Sequence, residues 1–263
     1  LHVAAARGAE DLCMALMVAG ADPNLRDQGG CSPLHLAAEA GHDRVLGMLL
    51  LKGAQLDAKT TTQETPLHLA ASQGHALCIS ELLLGGADKD VDDGSGKTPL
   101  FKAVENNHLR AVEILLAAGA TRCRLNYEWS TPLEEAANIG HATIMTACLQ
   151  AGSEVNASDC QGHTALHGAT AIDGPVQDNG DAVRVLLGAG ADVDAEATGD
   201  GCYTPLHVAV DRRIASIGTT RAVLQGGANV NARDEYNQTP LHAACSWSSV
   251  AAVELLLRWG ADE

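Results

Sequence analysis

The chain has 263 residues, and its 33 acidic against 17 basic residues leave a formal net charge of −16. That balance opposes nucleic-acid binding, which needs clustered Lys and Arg against phosphate, and it opposes anionic membrane surfaces. The longest apolar runs are short and amphipathic, so neither a membrane span nor a signal peptide is read.

Along the chain one phrase returns: Ser32-Pro33-Leu34-His35, Thr65-Pro66-Leu67-His68, Thr98-Pro99-Leu100-Phe101, Thr131-Pro132-Leu133-Glu134, Thr164-Ala165-Leu166-His167, Thr204-Pro205-Leu206-His207 and Thr239-Pro240-Leu241-His242. The chain opens on the tail of an eighth copy, Leu1-His2-Val3-Ala4-Ala5, and the leucines are spaced by 33, 33, 33, 33, 33, 40 and 35 residues. A fixed period of this length means a stack of small units, whose function lies on the faces of the stack.

The stretch from Asp27 to Lys59 explains one unit. Ser32 caps a helix by accepting a bond from a first-turn amide, and Pro33 sits where its missing N–H costs nothing. Leu34, Ala37 and Ala38 share a face at helical spacing, and Gly41 ends the helix as a left-handed C′ residue. Val45, Leu46, Leu49 and Leu50 form the stripe of a second helix, which Gly53 stops. Ala54 to Thr65 has no helical period and reads as an extended turn or hairpin. Helices this short do not hold themselves in water, so stacking of neighbours must bury what one pair cannot.

The set Thr-Pro-Leu-His, Leu-Ala-Ala, Gly-His, Leu-Leu-Leu and Gly-Ala-Asp at a 33-residue period resembles the ankyrin repeat over the whole chain. The resemblance implies an all-α solenoid of stacked helix-turn-helix units with short β-hairpin fingers, and protein recognition by the fingers and inner helices. One array is expected, with repeats at 27–59, 60–92, 93–125, 126–158, 159–198 and 199–233 and partial units at 1–26 and 234–263. The end units lack a polar outer helix, so the sequence reads as an excerpt of a longer parent chain with flanking domains.

Of the eight cysteines, Cys13, Cys78, Cys148 and Cys245 fall at positions that are apolar in other copies and read as core residues. Cys31, Cys160 and Cys202 fall in predicted fingers and Cys123 just before one. With no Cys-x-x-Cys pair, the pattern fits a reducing, intracellular compartment, cytoplasmic or nuclear.

Eleven histidines suggest a catalytic or metal inventory, but ten have a repeat explanation. His2, His35, His68, His167, His207 and His242 fill the Leu-His slot; His42, His75, His108 and His141 fill the turn between helices. The resemblance makes both sets structural. His163 alone stands outside, and Cys160-x2-His163-x3-His167 has metal-like spacing without an evident fourth ligand. No nucleophile elbow is present. Gly94-Ser95-Gly96 lacks phosphate-loop spacing, and the acids Glu134 and Glu135 are accounted for by the helix dipole. No catalytic residue, metal or cofactor is expected.

In a repeat protein the departures from the repeat carry the partner's information. The 40-residue unit gains residues in Ala171 to Asp181 and again near Ala197 to Tyr203, and the 35-residue unit gains two around Arg212 to Thr219. Among the seven aromatics, Phe101 replaces a histidine and is expected to be half-buried, and Trp259 ends the last helix. Tyr127, Trp129, Tyr203, Tyr236 and Trp247 fall in fingers or at the end of a first helix, where exposed rings are favoured anchors of interfaces. Packing between fingers is the plainer reading of the same rings. With pairs stacked about 10 Å apart, the set spans about 30 Å, with Asp211, Arg212 and Ser246 on the same rim. His163, Asp211 and Arg212 join the five rings as candidate partner-binding residues.

The expected function is non-catalytic recognition of a partner protein or peptide on the concave finger and inner-helix surface; the acidic charge would steer a basic partner there, and solubility is the plainer reading of the same charge. The alternative is a structural or autoinhibitory segment of a larger enzyme, channel or adaptor. A catalytic solenoid would need convergent non-repeat polar residues, and the sequence offers none.

Overall fold

The structure, a computed structural model, describes residues 1–120, 123–125, 128–171, 179–199, 201–210 and 216–262. These form two compact halves, Leu1–Tyr127 and Glu128–Glu263. Each is built from helix pairs.

The first half holds α1 (His2–Ala6), α2 (Glu10–Val18), α3 (Pro33–Ala40), α4 (Asp43–Leu51), α5 (Pro66–Gln73), α6 (Ala76–Leu84), α7 (Pro99–Glu105) and α8 (Leu109–Ala117), followed by strand β1 (Cys123–Leu125). The first helix of each pair packs on the first helix of the next, α1 on α3 on α5 on α7, and the second helices do likewise. Leu34, Leu67 and Leu100 lie at the centre of this stack and Leu46, Leu49, Ile79, Leu82 and Leu115 come from the second helices, all fully buried. Burial of one such side chain stabilises by about 2 kcal/mol.

The second half opens with strand β2 (Glu128–Ser130) and continues with α9 (Pro132–Ile139), α10 (Ala142–Gln150), α11 (Ala165–Thr170), α12 (Gly180–Gly188), α13 (Pro205–Val210), α14 (Ile217–Gln225), α15 (Pro240–Ser246) and α16 (Val250–Arg258). Its first helices again pack in series, and Leu133, Leu166 and Leu206 repeat the central role of the earlier leucines.

Two sets of histidine bonds tie neighbouring repeats. In the Leu-His slot, Nδ1 of His35, His68, His167, His207 and His242 accepts the N–H of the capping Ser or Thr, at 3.1–3.2 Å. A carbonyl can only accept, so Nε2 carries the proton and donates forward: His35 to Glu64, His68 to Lys97, His167 to Tyr203 and His207 to Gln238, at 3.0–3.2 Å. Burial holds the pKa of His35, His68 and His167 below the ordinary value. In the turns the direction reverses. His42, His75 and His108 donate from Nε2 to the carbonyls of Ala6, Glu39 and Ser72, each 36 residues earlier. The ring lies where a Cβ on the previous turn's glycine would be, 2.6 Å away at Gly41 and at Gly74. Those glycines therefore serve twice, since both also have φ near +75°.

Two expectations need correction, those for Phe101 and Cys245, while the fingers take the turn form of the expected turn or hairpin. The fingers are mostly tight turns: in Asp27, Asp93, Asp159 and Asp234 the side-chain Oδ1 accepts backbone N–H groups two and four residues on. The carboxylate does the work of a ladder, and among the described residues strand structure is limited to β1, β2 and one bridge, Ser158 to Thr164. Phe101 is not half-buried but 2 % exposed. The Lys97 ammonium lies over its ring, 4.9 Å from the centroid, and β1 packs against the helix that carries it. Cys245 is exposed, unlike Cys13, Cys78 and Cys148. It holds the register position of Ala38, Ala71 and Val104, which are buried. In the last pair, among the described residues, no further helix pair lies over that position.

Candidate functional site

The second half carries a groove between its finger turns and its first helices. One hollow, about 470 Å³, is lined by Glu134, Asn138, Asp159, His163, Gly168 and Tyr203 among others. A second, about 360 Å³, is lined by Tyr203, Gln238, Ser246 and Trp247 among others. Tyr203 and Val208 belong to both, so the two hollows meet at those residues.

Of the residues singled out in the sequence as departures or rim positions, the groove brings together His163, Tyr203, Ser246 and Trp247. Asp159 Oδ1 accepts the His163 N–H, and His163 Nδ1 lies 3.2 Å from Asp159 Oδ2. The His163 ring meets the His167 ring edge-on at 5.7 Å, and Tyr203 meets His207 in the same manner at 6.0 Å. Trp247 caps the C-terminus of α15 and is 45 % exposed. Tyr236 is 66 % exposed on a finger turn and does not line either hollow. Tyr127, Asp211 and Arg212 lie outside the described residues, as does the side chain of Trp129 in β2 and the inserted stretch 172–178.

Sequence reasoning missed the most unusual member of the groove. Glu134 was accounted for as a helix-start acid, yet it is only 6 % exposed. It occupies the histidine slot: Oε2 accepts the Thr131 N–H at 2.7 Å, as a histidine Nδ1 would. A carboxylate has no proton to donate forward, and its second oxygen, Oε1, is buried without a hydrogen-bond partner. Burial pushes the carboxyl up to about 7, against the pull of the Thr131 bonds, and the neighbouring charges of Asp159 and Glu135 add to the rise. The signal was present in the sequence as the one acid in a slot otherwise filled by His or Phe.

The first half shows the same positions filled. Lys102 on α7 sends Nζ between Asp93 Oδ2, at 2.9 Å, and Glu64 Oε1, at 3.0 Å. The Asp93 side chain is 4 % exposed. Its burial raises the pKa, but the bonds from Lys102, Lys97 and Ser95 outweigh this and bring it to about 2. Burial likewise lowers Lys102, and the two carboxylates outweigh it and raise it.

Among the described residues no three His, Cys, Asp or Glu side chains gather as metal ligands, and no helix is long and apolar enough to cross a membrane. The seven cysteines with described side chains are unpaired, with burial raising Cys78 and Cys148 to about 12.

The family model for ankyrin repeats in three copies matches residues 1–93, 45–127, 76–159 and 171–263. The chain belongs to the ankyrin-repeat family. The crystal structure of the human ASB11 ankyrin repeat domain superposes with a TM-score of 0.74 at 27% identity, over 89% of this chain and 100% of that one. Among curated proteins, the ankyrin repeat and LEM domain-containing protein 1 homolog of Caenorhabditis elegans is 45% identical over 56 residues, 21% of this chain and 8% of its own length. The E3 ubiquitin-protein ligase KEG of Arabidopsis thaliana is 38% identical over 80 residues, 30% of this chain and 5% of its own. Human neurogenic locus notch homolog protein 2 is 33% identical over 112 residues, 43% of this chain and 4% of its own. The match thus spans less than a tenth of each of these relatives. Ankyrin-repeat domains are in general scaffolds for protein–protein interaction and not enzymes.

Proposed function

We propose that this ankyrin array is a non-catalytic recognition module that holds a partner protein or peptide in the groove of its second half. The observation that carries the reading is the pair of hollows joined at Tyr203 and Val208, with His163 in one and the half-exposed Trp247 in the other. Rigid aromatic anchors in a groove are where binding energy concentrates in interfaces. As departures from the repeat in sequence, Tyr127, Trp129, Tyr236, Asp211 and Arg212 are further candidate partner-binding residues, and we assign the module to a reducing intracellular compartment, in keeping with its seven described, unpaired cysteines. The formal charge of −16 favours a basic partner.

A second reading, contact with other parts of a longer parent chain, takes support from the small share of the curated relatives that the match covers. Affinity capture with the chain as bait, repeated with Tyr203→Ala and Trp247→Ala, tests recognition. Loss of an anchor ring costs about 2 kcal/mol of binding, some thirtyfold in Kd, while substitution at an exposed site such as Trp247 shifts stability by about 0.5 kcal/mol. Unchanged capture with a large drop in stability would assign both rings to packing.

A further inference from the structure

Repeat symmetry relates the two halves position by position. A shift of 66 residues carries Asp93 to Asp159, Lys102 to Gly168, Glu64 to Ser130 and His68 to Glu134. In the first half the Lys102 ammonium fills the space between its carboxylates. In the second half the carboxylate at the Asp93 position remains, Glu134 brings a second carboxyl with a buried, unpartnered oxygen, and Gly168 supplies no side chain. Asn138 takes the room beside Gly168: a Cβ there would lie 2.0 Å from Asn138 Oδ1, so the carboxamide lies over the glycine and adds an acceptor to the wall. The result is a hollow with acceptors on several sides and no lysine or arginine among its described lining residues.

Resting on the recognition reading of the groove, we propose that this hollow receives a lysine side chain of the partner, whose ammonium bonds Asp159 as Lys102 bonds Asp93 in the first half, with Glu134 rather than a counterpart of Glu64 as the second carboxyl. The chemistry favours an ammonium. It is a compact cation with three donors, matched here by Asp159 Oδ2, Glu134 Oε1 and the Asn138 carboxamide oxygen. A buried acceptor left without a donor is costly, and the guest removes that cost. Asp159 Oδ2 is beside His163 Nδ1 at 3.2 Å, and a partly exposed imidazole is a weaker partner for it than the ammonium that the Asp93 position has in the first half. Tyr203, on the wall shared with the second hollow, flanks the lysine's aliphatic stem and directs the rest of the partner toward Trp247.

The test uses the full chain, labelled with nitrogen-15, and a short peptide capped at both ends with one lysine among glycines and serines. At physiological salt the lysine peptide is expected to give saturable shifts of the Asn138, Asp159 and Gly168 amides. The same peptide with Nε-acetyl-lysine should give none. Glu134→Gln keeps the Thr131 bond and removes the charge. Glu134→His restores the residue used in most other copies, with a donor for the next repeat's carbonyl, and so stays folded. Both should weaken the lysine peptide at least tenfold. Equal shifts with acetyl-lysine, tighter binding of an arginine peptide, no saturable shift, or undiminished binding to Glu134→His would each overturn the assignment. If that happens while Tyr203→Ala and Trp247→Ala still abolish capture, the ammonium site falls and the recognition groove stands. If capture is also unchanged, both fall.

Discussion

Glu134 should make the stability of the second half depend on pH in the direction opposite to an ordinary carboxylate. Its pKa rises from 4.5 in the unfolded chain to about 7 in the fold. Below 4.5 both states hold the proton and nothing is lost. Between 4.5 and about 7 the folded state holds the proton and the unfolded state has shed it, so stability falls as pH rises. Above about 7 both are ionised and the loss is complete. At about 1.4 kcal/mol per unit the interval amounts to roughly 3 kcal/mol. The histidines pull the other way in the same window: their lowered pKa means that the unfolded state gains protons first, so stability falls as pH drops below about 6.5. Comparing the chain with Glu134→Gln separates the two, because the histidine contribution is common to both. Asp159, Glu135, His163 and His167 are present in both as well. Urea unfolding at about pH 5, 6, 7 and 8 should show Glu134→Gln gaining on the parent chain by about 2.5 kcal/mol from the acid to the alkaline end, part of the full interval lying below pH 5. Carbon-13 titration of the Glu134 carboxyl should give a midpoint near 7. A difference that stays flat with pH, together with a midpoint near 4.5, would refute the account of a buried acid standing in for a histidine.

The packing makes two further outcomes testable. Gly53→Ala should cost only the left-handed conformation, about 1–2 kcal/mol, since no atom lies within 4 Å of its added Cβ. Gly74→Ala should cost clearly more, because its Cβ also displaces the His108 ring that bonds to Ser72; equal losses in denaturant unfolding would deny the ring contact. Lys102→Met leaves Asp93 and Glu64 without their cation and should destabilise the first half by about 3 kcal/mol near neutral pH. Asp93 contributes stability that is present above pH 3.8 and lost as pH falls toward 2, so the deficit of the variant should shrink in acid; a deficit independent of pH would mean that the ion pair is not its source.

The stack was legible because its causes are local and repeated. Ser or Thr, mostly followed by Pro, starts the first helices, a positive-φ glycine ends α3, α5 and α9, and most of the leucines sit at a fixed period. The slot histidines were legible as structural only by resemblance; the two-sided bonding that explains them needs coordinates. Cys245 and Phe101 were misjudged for one reason. Local spacing says that a residue faces a neighbour, and only the assembled array says whether the neighbour is there. Glu134 was misread because acidity at a helix start has an adequate local explanation, and the orphaned oxygen arises from what the next repeat fails to offer. The groove itself was half legible: His163, Tyr203 and Trp247 stood out as departures from the repeat, while Asn138 and Gly168 look ordinary until they are seen to touch.

The forward histidine bonds have a consequence for how such a chain can change length. The bond from His35 to Glu64 and that from His68 to Lys97 each close 29 residues, whereas the bond from His207 to Gln238 closes 31 and that from His167 to Tyr203 closes 36. Geometry at the clasp is the same in all four. Each clasp fixes two points and is indifferent to the length of chain looped between them. Extra residues can therefore be written into one repeat without being transmitted to its neighbours, as a longer sentence can sit between fixed punctuation. Variation in the loops and fidelity in the stack are then governed by separate residues, and selection can act on one without disturbing the other.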